Sequence, residues 1–439
     1  MKTFREYIGF ISQNHPDFQW LHILENSASK SYSIAELVKR INDYLSYYQK
    51  VGVKEGDIVL IILKESLDLY ASFFAGILYG AFPAYFAYPS PKQTKQCFLQ
   101  AVIHLFQYNP IRLVVGFQEV IEVLNESREL QKDHSDLLVD QQNVPLLSKD
   151  TIDASLLGKE EAFLQFSSGT TGAKKGVKIS IEALFNQIEA YEPYAEYDQH
   201  SKVISWLPHY HDMGLIACML MPFLKRVPIY MMSPFVWAKN PVILLEAIGK
   251  YQGTHVWLPN FALGHLTKSI SPDKGKDLNL SSLHKLVCCS EPVLHETVKR
   301  FVEKFGPAGL KPEVVNNCYA MAENTFAMTS TREGLSKMIR VNREKLLKEK
   351  VIELVAEGKS FVSAGVALAN VELKVVAEDG ELLGEDRVGE IIIKSNCLLE
   401  EYHNKPQETA DAFQGDFFKT GDLGFVHQNE LYVTGRKKD

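Results

Sequence analysis

DIVLIILKESLDLYASFFAGILYGAFPAYFAY, residues 57–88, holds one full beat of the rhythm on which the chain is built. Residues 57–63 form a short apolar run of the kind buried in a parallel sheet. From Asp68 to Tyr79 the pattern reads as a buried helix of about three turns, and Gly80 and Pro83 separate it from a second buried strand over 82–88. Residues 69–91 carry no charge, so a membrane span has to be weighed. The helix is too short for the ~20 residues a span needs, and Tyr70, Tyr79, Tyr85 and Tyr88 interrupt the apolar surface, which favours a soluble reading.

Working outward, a helix over 96–106 and a strand over 112–115 complete a βαβαβ unit, which implies a doubly wound sheet with helices on both faces. A polar, turn-rich stretch over 141–157 makes a seam. Short strands at 203–206, 228–230, 255–258 and 285–289 then resume the alternation. From about Val362 the texture changes: VELKVVAEDGELL (371–383), with Asp379-Gly380 as a hairpin signal, precedes the strands GEIIIKS (389–395) and ELYVTG (430–435). The expected architecture is α/β: two doubly wound βαβ-type subdomains, 1–157 and 158–358, then a small β-rich, barrel-like subdomain, 359–434, and a hinge, 435–439.

The length of 439 residues corresponds to about three domains at ~150 residues each. With 46% apolar and 23% charged residues, the chain can bury sizeable cores. Its 47 basic and 54 acidic residues give a net charge of −7, which excludes the basic stripe of a nucleic-acid binder. Six cysteines, none in a C-x-x-C pair, offer neither a zinc site nor a disulfide framework, so a reducing, cytoplasmic setting and a monomer are expected. The N-terminus lacks the apolar core and cleavage site of a signal peptide.

The chemistry concentrates after the strand-like Phe163–Phe166 stretch, in Ser167-Ser168-Gly169-Thr170-Thr171-Gly172-Ala173-Lys174-Lys175-Gly176. Glycines let successive N–H groups form an anion-binding nest. Hydroxyls donate to phosphate oxygens, and a lysine supplies the compensating cation. The Walker A spacing does not fit anywhere in the run. An apolar strand, a hydroxyl-glycine run, a lysine and a new strand over 177–179 together point to a phosphate loop.

That loop resembles the phosphate-binding loop of the acyl-adenylate-forming superfamily, and further blocks follow in the superfamily's order. Leu207-Pro208-His209-Tyr210-His211-Asp212-Met213-Gly214-Leu215 resembles its Pro-x-x-His…Gly segment. Ser290-Glu291-Pro292-Val293 resembles the adenine-side loop, and Asn317-Cys318-Tyr319-Ala320-Met321-Ala322-Glu323 the Tyr-Gly-x-Thr-Glu block. Thr420-Gly421-Asp422 and Gly435-Arg436-Lys437-Lys438-Asp439 resemble the ribose and hinge motifs. Ala320 and Ala322 replace the usual Gly and Thr. That departure, the Leu-Pro-His-Tyr-His-Asp-Met-Gly run and Pro259-Asn260-Phe261-Ala262 are similar to the fatty acyl-AMP ligase branch.

The resemblance implies adenylation of a fatty acid by ATP, with release of pyrophosphate and delivery to the thiol of an acyl carrier protein. The reactants are both anions, so the site needs Mg2+ and hard oxygen ligands. Glu323 is the implied Mg2+ ligand, Lys175 the phosphate cation, and His211 lies between acyl carboxylate and ATP. Tyr319 offers a face to adenine, and Asn317 a donor and acceptor to its amino edge. Asp422 and Arg436 suit the ribose hydroxyls. Ser290, Glu291, Pro292, Cys318, Ala320 and Met321 line the nucleotide, and Met213, Gly214, Asn260 and Phe261 the acyl group. His209 stays unassigned: two histidines at i, i+2 could share a strand face, but no third metal ligand is near. The superfamily also uses a lysine from a C-terminal lid beyond the hinge, so the chain is expected to be the large nucleotide- and acyl-binding part. An acyl-CoA ligase and a non-catalytic nucleotide sensor are the competing readings. Residues 330–358 are expected to form an amphipathic helix with Leu346, Leu347, Val351, Ile352 and Val355 on its packed side, similar to an insertion that holds the lid of fatty acyl-AMP ligases away from coenzyme A.

Overall fold

The computed structural model describes residues 2–25, 28–90, 93–127, 129–130, 137–147, 150–166, 175–332, 334 and 337–438. Helix Leu67–Tyr79 is the element on which the rest converges. It is apolar all round, as a helix between two layers must be, and every residue from Leu69 to Leu78 is buried. Ser66 caps its start by accepting from the Leu69 N–H. Gly80 ends it at φ 84°, a left-handed position that costs glycine nothing.

The two faces of this helix meet different sheets. Phe73 stacks on Tyr85 at 4.7 Å and lies edge-on to Phe163 at 5.8 Å, both on strands of a seven-stranded sheet. Phe74 meets Phe223 at 4.5 Å and Trp20 at 6.1 Å, and Trp20 lies on a strand of a nine-stranded sheet. A buried ion pair fixes the helix against its neighbour: Arg40, on helix Ile34–Lys50, reaches Asp68 at 2.6 Å and Asp43 at 3.0 Å.

In the seven-stranded sheet, Ile58–Ile62 lies parallel to Phe82–Tyr85 on one side and to Ile111–Gly116 on the other. Strands Ala162–Phe166 and Gly176–Ser180 then form an antiparallel pair at its edge, with Phe166 opposite Gly176. In the nine-stranded sheet, Val203–Ser205 lies between Ile229–Met231 and His255–Leu258, both parallel to it. Lys285–Cys288 and Val315–Ala320 continue the parallel order. The α/β alternation over 57–116 and 203–289 is therefore as expected, with ends displaced by a residue or a few.

Sheet membership does not follow chain order. The phosphate-loop hairpin, 162–180, completes the first sheet although it lies beyond residue 158, and the N-terminal strand Gln19–Glu25 joins the second through Ile229–Met231. The expected boundary at 157/158 thus cuts the seven-stranded sheet. A parallel sheet gains buried neighbours from whichever strands reach its edges, and sequence spacing does not record that.

A second correction concerns 330–358. This stretch is not one amphipathic helix. Met338–Val341 pairs antiparallel with Lys359–Val362, and the only helix between them is the short Arg343–Glu349, capped by Asn342 and ended by Lys350 at φ 55°. Leu346 and Ile352 are buried with Val341, Phe361, Val388, Phe425 and Tyr432 in a small core of their own, whereas Leu347 is 67% exposed. The segment therefore packs on the C-terminal β-rich region, whose strands Val371–Val376, Gly389–Ser395, Phe417–His427 and Glu430–Arg436 pair antiparallel. Among the described residues no helix is long and apolar enough to cross a membrane.

Because Phe74 seats the helix against Trp20 and Phe223 on the side of the nine-stranded sheet, Phe74→Ala is expected to lower the free energy of unfolding by about 3–5 kcal/mol, read from urea denaturation followed by tryptophan fluorescence. A loss below ~1 kcal/mol would show that the sheets meet without this ring.

Candidate active site

Open α/β sheets take ligands outside the carboxyl ends of their strands, where neighbouring connections leave in opposite directions. Each sheet has such a point. In the first it is Ile58–Ile62, and in the second Val203–Ser205, since the chain continues from each to one side and later returns on the other. Helix Leu67–Tyr79 between the sheets brings the two points together. The loop after 62 carries Glu65, and the loop after 205 carries the Leu207–Gly214 motif. A small cavity between them is lined by Ile61, Glu65, Tyr85, Tyr88, His209 and Tyr210, among others.

His209, which the sequence left unassigned, is 3% exposed beside Tyr70 and Tyr85, with ring centroids at 5.1 and 5.7 Å. Neither ring nitrogen has a hydrogen-bond partner among the described residues. Burial lowers its pKa to about 4, so the imidazole is neutral. Glu65, on the same cavity, accepts from the Tyr70 hydroxyl at 2.9 Å, and burial raises its carboxyl to about 7. Glu65 is half-buried and His209 buried, and no cluster of metal-binding groups forms around them among the described residues.

Two residues on, the motif turns outward. His211 has half its side chain exposed and lies 2.5 Å from Asp212, whose carboxylate raises the imidazole's affinity for a proton. Asp212 also accepts from the Met213 N–H at 2.7 Å, which starts the wide helical turn Met213–Leu220. Gly214 is obligatory there: a Cβ would lie 2.2 Å from the Pro208 carbonyl oxygen. Met213 is buried and its sulfur accepts from the Cys289 thiol at 3.1 Å. Asn260 is 7% exposed and Phe261 54%.

Glu323 sits in the short turn Ala322–Asn324. The turn is held from several sides: the Glu323 carbonyl accepts from Leu399 N–H at 2.7 Å, and the Thr325 hydroxyl donates to the Cys397 carbonyl at 2.7 Å. Thr325 adopts φ 63°, uncommon for a β-branched residue and a mark of a conformation imposed by its surroundings. The Tyr402 hydroxyl donates to Glu323 at 3.0 Å. Loss of hydration raises the Glu323 carboxyl above its ordinary range; its own backbone N–H and Tyr402 oppose the rise, the Asp212 carboxylate adds to it, and Lys175 opposes it again.

Lys175 lies 2.6 Å from Glu408 and 4.5 Å from the Tyr402 ring centroid. Its hydrogen bond to Glu408, together with that of Lys405, lowers the Glu408 carboxyl. The rest of the phosphate loop in the expected site, Ser167, Ser168, Gly169, Thr170, Thr171 and Gly172, lies outside the described residues. The pair of strands that flanks it is in place.

A third group closes the row. The Tyr319 hydroxyl donates to Asp422 at 2.6 Å, and Arg436 lies 3.6 Å from the same carboxylate, opposite it across the strand pair. Ala320 and Met321 are half-buried beside Tyr319, and Cys318 is buried. Ser290 stands at φ 70° in an exposed loop with Glu291 and Pro292. Asn317 is 5% exposed, and its side-chain amide donates to the Ser363 carbonyl at 2.8 Å, tying its strand to the segment after Lys359–Val362.

Of the expected residues, Lys175 and His211, with its neighbour Asp212, gather around Glu323, and Tyr319 joins Asp422 and Arg436 beside it. Sequence reasoning missed Tyr402 and Glu408, which contact Glu323 from 79 residues away and Lys175 from farther still. No local spacing signals such a contact.

The model of the AMP-binding enzyme family matches residues 12–403. The chain belongs to that family. It is 26% identical over 445 aligned residues to the medium-chain-fatty-acid–[acyl-carrier-protein] ligase JamA of Moorena producens, covering 94% of this chain and 75% of that one. With the long-chain-fatty-acid–AMP ligase FadD32 of Mycolicibacterium smegmatis it shares 29% identity over 420 residues, 88% of this chain and 65% of that one. It superimposes on the crystal structure of a fatty acyl-adenylate ligase from Legionella pneumophila, in complex with acyl adenylate and pyrophosphate, with a TM-score of 0.91 and 27% identity, covering all of this chain and 78% of that one. The α/β architecture with a small C-terminal β subdomain is thus that of adenylate-forming enzymes.

The Glu65 carboxyl has a stability consequence. Below its ordinary value of 4.5 it is protonated in both states. Between 4.5 and about 7 the unfolded chain releases the proton and the folded one holds it, so folding loses stability as pH rises through that window. Glu65→Gln should therefore leave stability unchanged at pH 4 and raise it by on the order of 3 kcal/mol relative to the parent at pH 8, read as the difference between the two denaturation midpoints at each pH. Equal differences at both pH values would refute the buried carboxyl.

Proposed function

We propose that this enzyme activates a fatty acid with ATP, forming acyl-AMP and pyrophosphate, and passes the acyl group to the phosphopantetheine thiol of an acyl carrier protein. The observation that carries this reading is the row formed by Lys175, Tyr402, Glu323, Asp212 and His211, followed by Tyr319 and Asp422, at the strand ends of both sheets. Its support in kind is the likeness to fatty-acid ligases of the same fold.

In this reading Asp422, backed by the Tyr319 hydroxyl, accepts from the ribose hydroxyls, and Arg436 adds donors at the rim. The Tyr319 ring and the half-buried Ala320 and Met321 flank the base, with Ser290, Glu291 and Pro292 on its other side. Lys175 exchanges the Glu408 carboxylate for phosphate oxygens when ATP enters, which places a cation where leaving-group charge develops. His211, held by Asp212, donates to the incoming carboxylate or the developing oxyanion; Asp212 keeps that proton in place. Met213, Gly214 and Phe261 bound the acyl side.

Glu323 suits a hard cation. Its carboxylate accepts from the Tyr402 hydroxyl and its own backbone N–H, and it faces the like charge of Asp212, a repulsion that a bound cation would relieve. Mg2+ held there would neutralise phosphate charge, with most of its ligands coming from ATP and water. No cluster of three or more His, Cys, Asp or Glu exists among the described residues, so in this reading the chain supplies few of the ligands. The retained carboxylate and Lys175 disfavour a pure nucleotide sensor, which needs neither for turnover. A monomer is the expected working unit.

The test is acid-dependent pyrophosphate release with detection of acyl-AMP, followed by transfer to holo-acyl carrier protein or to coenzyme A. Glu323→Gln and Lys175→Ala should each lower turnover by about 10²–10³-fold, and Glu323→Gln should leave nucleotide affinity within a few fold. Wild-type turnover in either variant would remove that residue from the mechanism. Preferential transfer to coenzyme A would replace the carrier-protein reading with that of an acyl-CoA ligase.

A further inference from the structure

Two loops of the site hold each other by their side chains. They follow His255–Leu258 and Lys285–Cys288, adjacent parallel strands, and leave the nine-stranded sheet side by side. Helix Asn260–Ser269 starts behind Pro259, which supplies no side-chain cap. The Phe261 N–H, one of the donors a helix start leaves open, donates instead to the Glu291 carboxylate of the neighbouring loop. In the opposite sense, the buried Asn260 carboxamide oxygen accepts from the Leu294 N–H at 3.1 Å. Ser290, directly before Glu291, is held at φ 70°, a conformation that persists in a non-glycine residue only where neighbours impose it.

The two ends of the clasp reach different parts of the site. Phe261 lies edge-on to Trp206 and Trp237 at 6.2 and 6.3 Å, and these indoles stack at 3.8 Å. Trp206 directly precedes the Leu207–Gly214 motif. On the other loop, Ser290 follows Cys289, whose thiol meets Met213, and the strand beside it leads to Tyr319.

We propose that Glu291 and Asn260 are positioning residues that couple the acid subsite to the nucleotide subsite, so that occupation of one loop sets the other. This rests on the reading of the site given above, with Phe261 on the acyl side and Ser290–Pro292 on the nucleotide side. A ligand that orders either loop pre-orders its partner through the reciprocal hydrogen bonds. The second ligand then binds more tightly, and by linkage the effect is equal in both directions. Glu291 thereby takes a different role from the adenine contact that its motif implies.

The experiment measures binding of dodecanoic acid by calorimetry, with and without an α,β-methylene ATP analogue, alongside steady-state pyrophosphate release. In the parent chain the analogue should tighten acid binding about tenfold. Glu291→Ala should reduce that factor to about twofold or less and raise the KM values for acid and ATP together. Glu291→Gln, which keeps an oxygen acceptor for the Phe261 N–H, should retain most of the coupling. Asn260→Ala, breaking the reverse hydrogen bond, should lose it as Glu291→Ala does, and carries the test if the latter melts at a lower temperature. Loss of ATP affinity alone in Glu291→Ala, with coupling intact, would overturn the proposal in favour of a direct nucleotide contact. So would absence of coupling in the parent chain, or coupling unchanged in Asn260→Ala. A parent chain that releases no pyrophosphate with any fatty acid would defeat the proposed function instead.

Discussion

The burial of helix Leu67–Tyr79 between two sheets is the constraint on which the rest depends. Its aromatic side chains pack in opposite directions, Phe73 towards Tyr85 and Phe163, and Phe74 towards Trp20 and Phe223. A helix that is apolar on every side has no stable alternative to such a position. The orientation of the sheets follows, and with it the meeting of two topological switch points in one crevice. Arg40, clasping Asp43 and Asp68, adds a charged lock that is costly to break because it would leave buried carboxylates uncompensated.

Within the crevice, electrostatics is arranged around excess negative charge. The Asp212 carboxylate adds to the cost of ionising Glu323, and Lys175, engaged with Glu408, offsets part of it. In the proposed reading a cation and the ATP phosphates would relieve this balance, the phosphates replacing the Glu408 carboxylate on Lys175. The glutamate turn is held against this tension by backbone and hydroxyl contacts from 397–399 and by Tyr402. Along the small cavity, buried His209 stays neutral above about pH 4 and half-buried Glu65 stays protonated below about pH 7.

Several elements were legible because they obey local rules. The strand and helix over 57–79 follow from an apolar run, a helix-length apolar block and a glycine stop. The hairpin around the phosphate loop follows from apolar strands flanking a hydroxyl-glycine run. Residues 330–358 show the limit of periodicity: the spacing of Leu347, Val351 and Val355 fits one helical face, yet Lys350 ends the helix and the flanking residues pair as strands. Tertiary pairing with the C-terminal β region outweighed a weak local preference. Asn317 illustrates the same limit at the scale of one side chain, since a motif gives its position but not the carbonyl it meets.

The sequence by itself determined the α/β alternation, the two strands that flank the hydroxyl-glycine run and the identities of the groups that carry charge: Lys175, His211, Glu323, Asp422. These follow from residue chemistry and short-range order, which the chain encodes within a few positions. Only the tertiary structure decided which strands share a sheet and which side chains share the site. Tyr402 reaches Glu323 and Glu408 reaches Lys175 because strand Glu401–Tyr402 pairs with Gly176–Ser180 at the edge of the first sheet. Glu291 meets Phe261 because two parallel strands end together. Such contacts depend on edge pairing and packing between segments far apart in the chain, and no local pattern of residues specifies them.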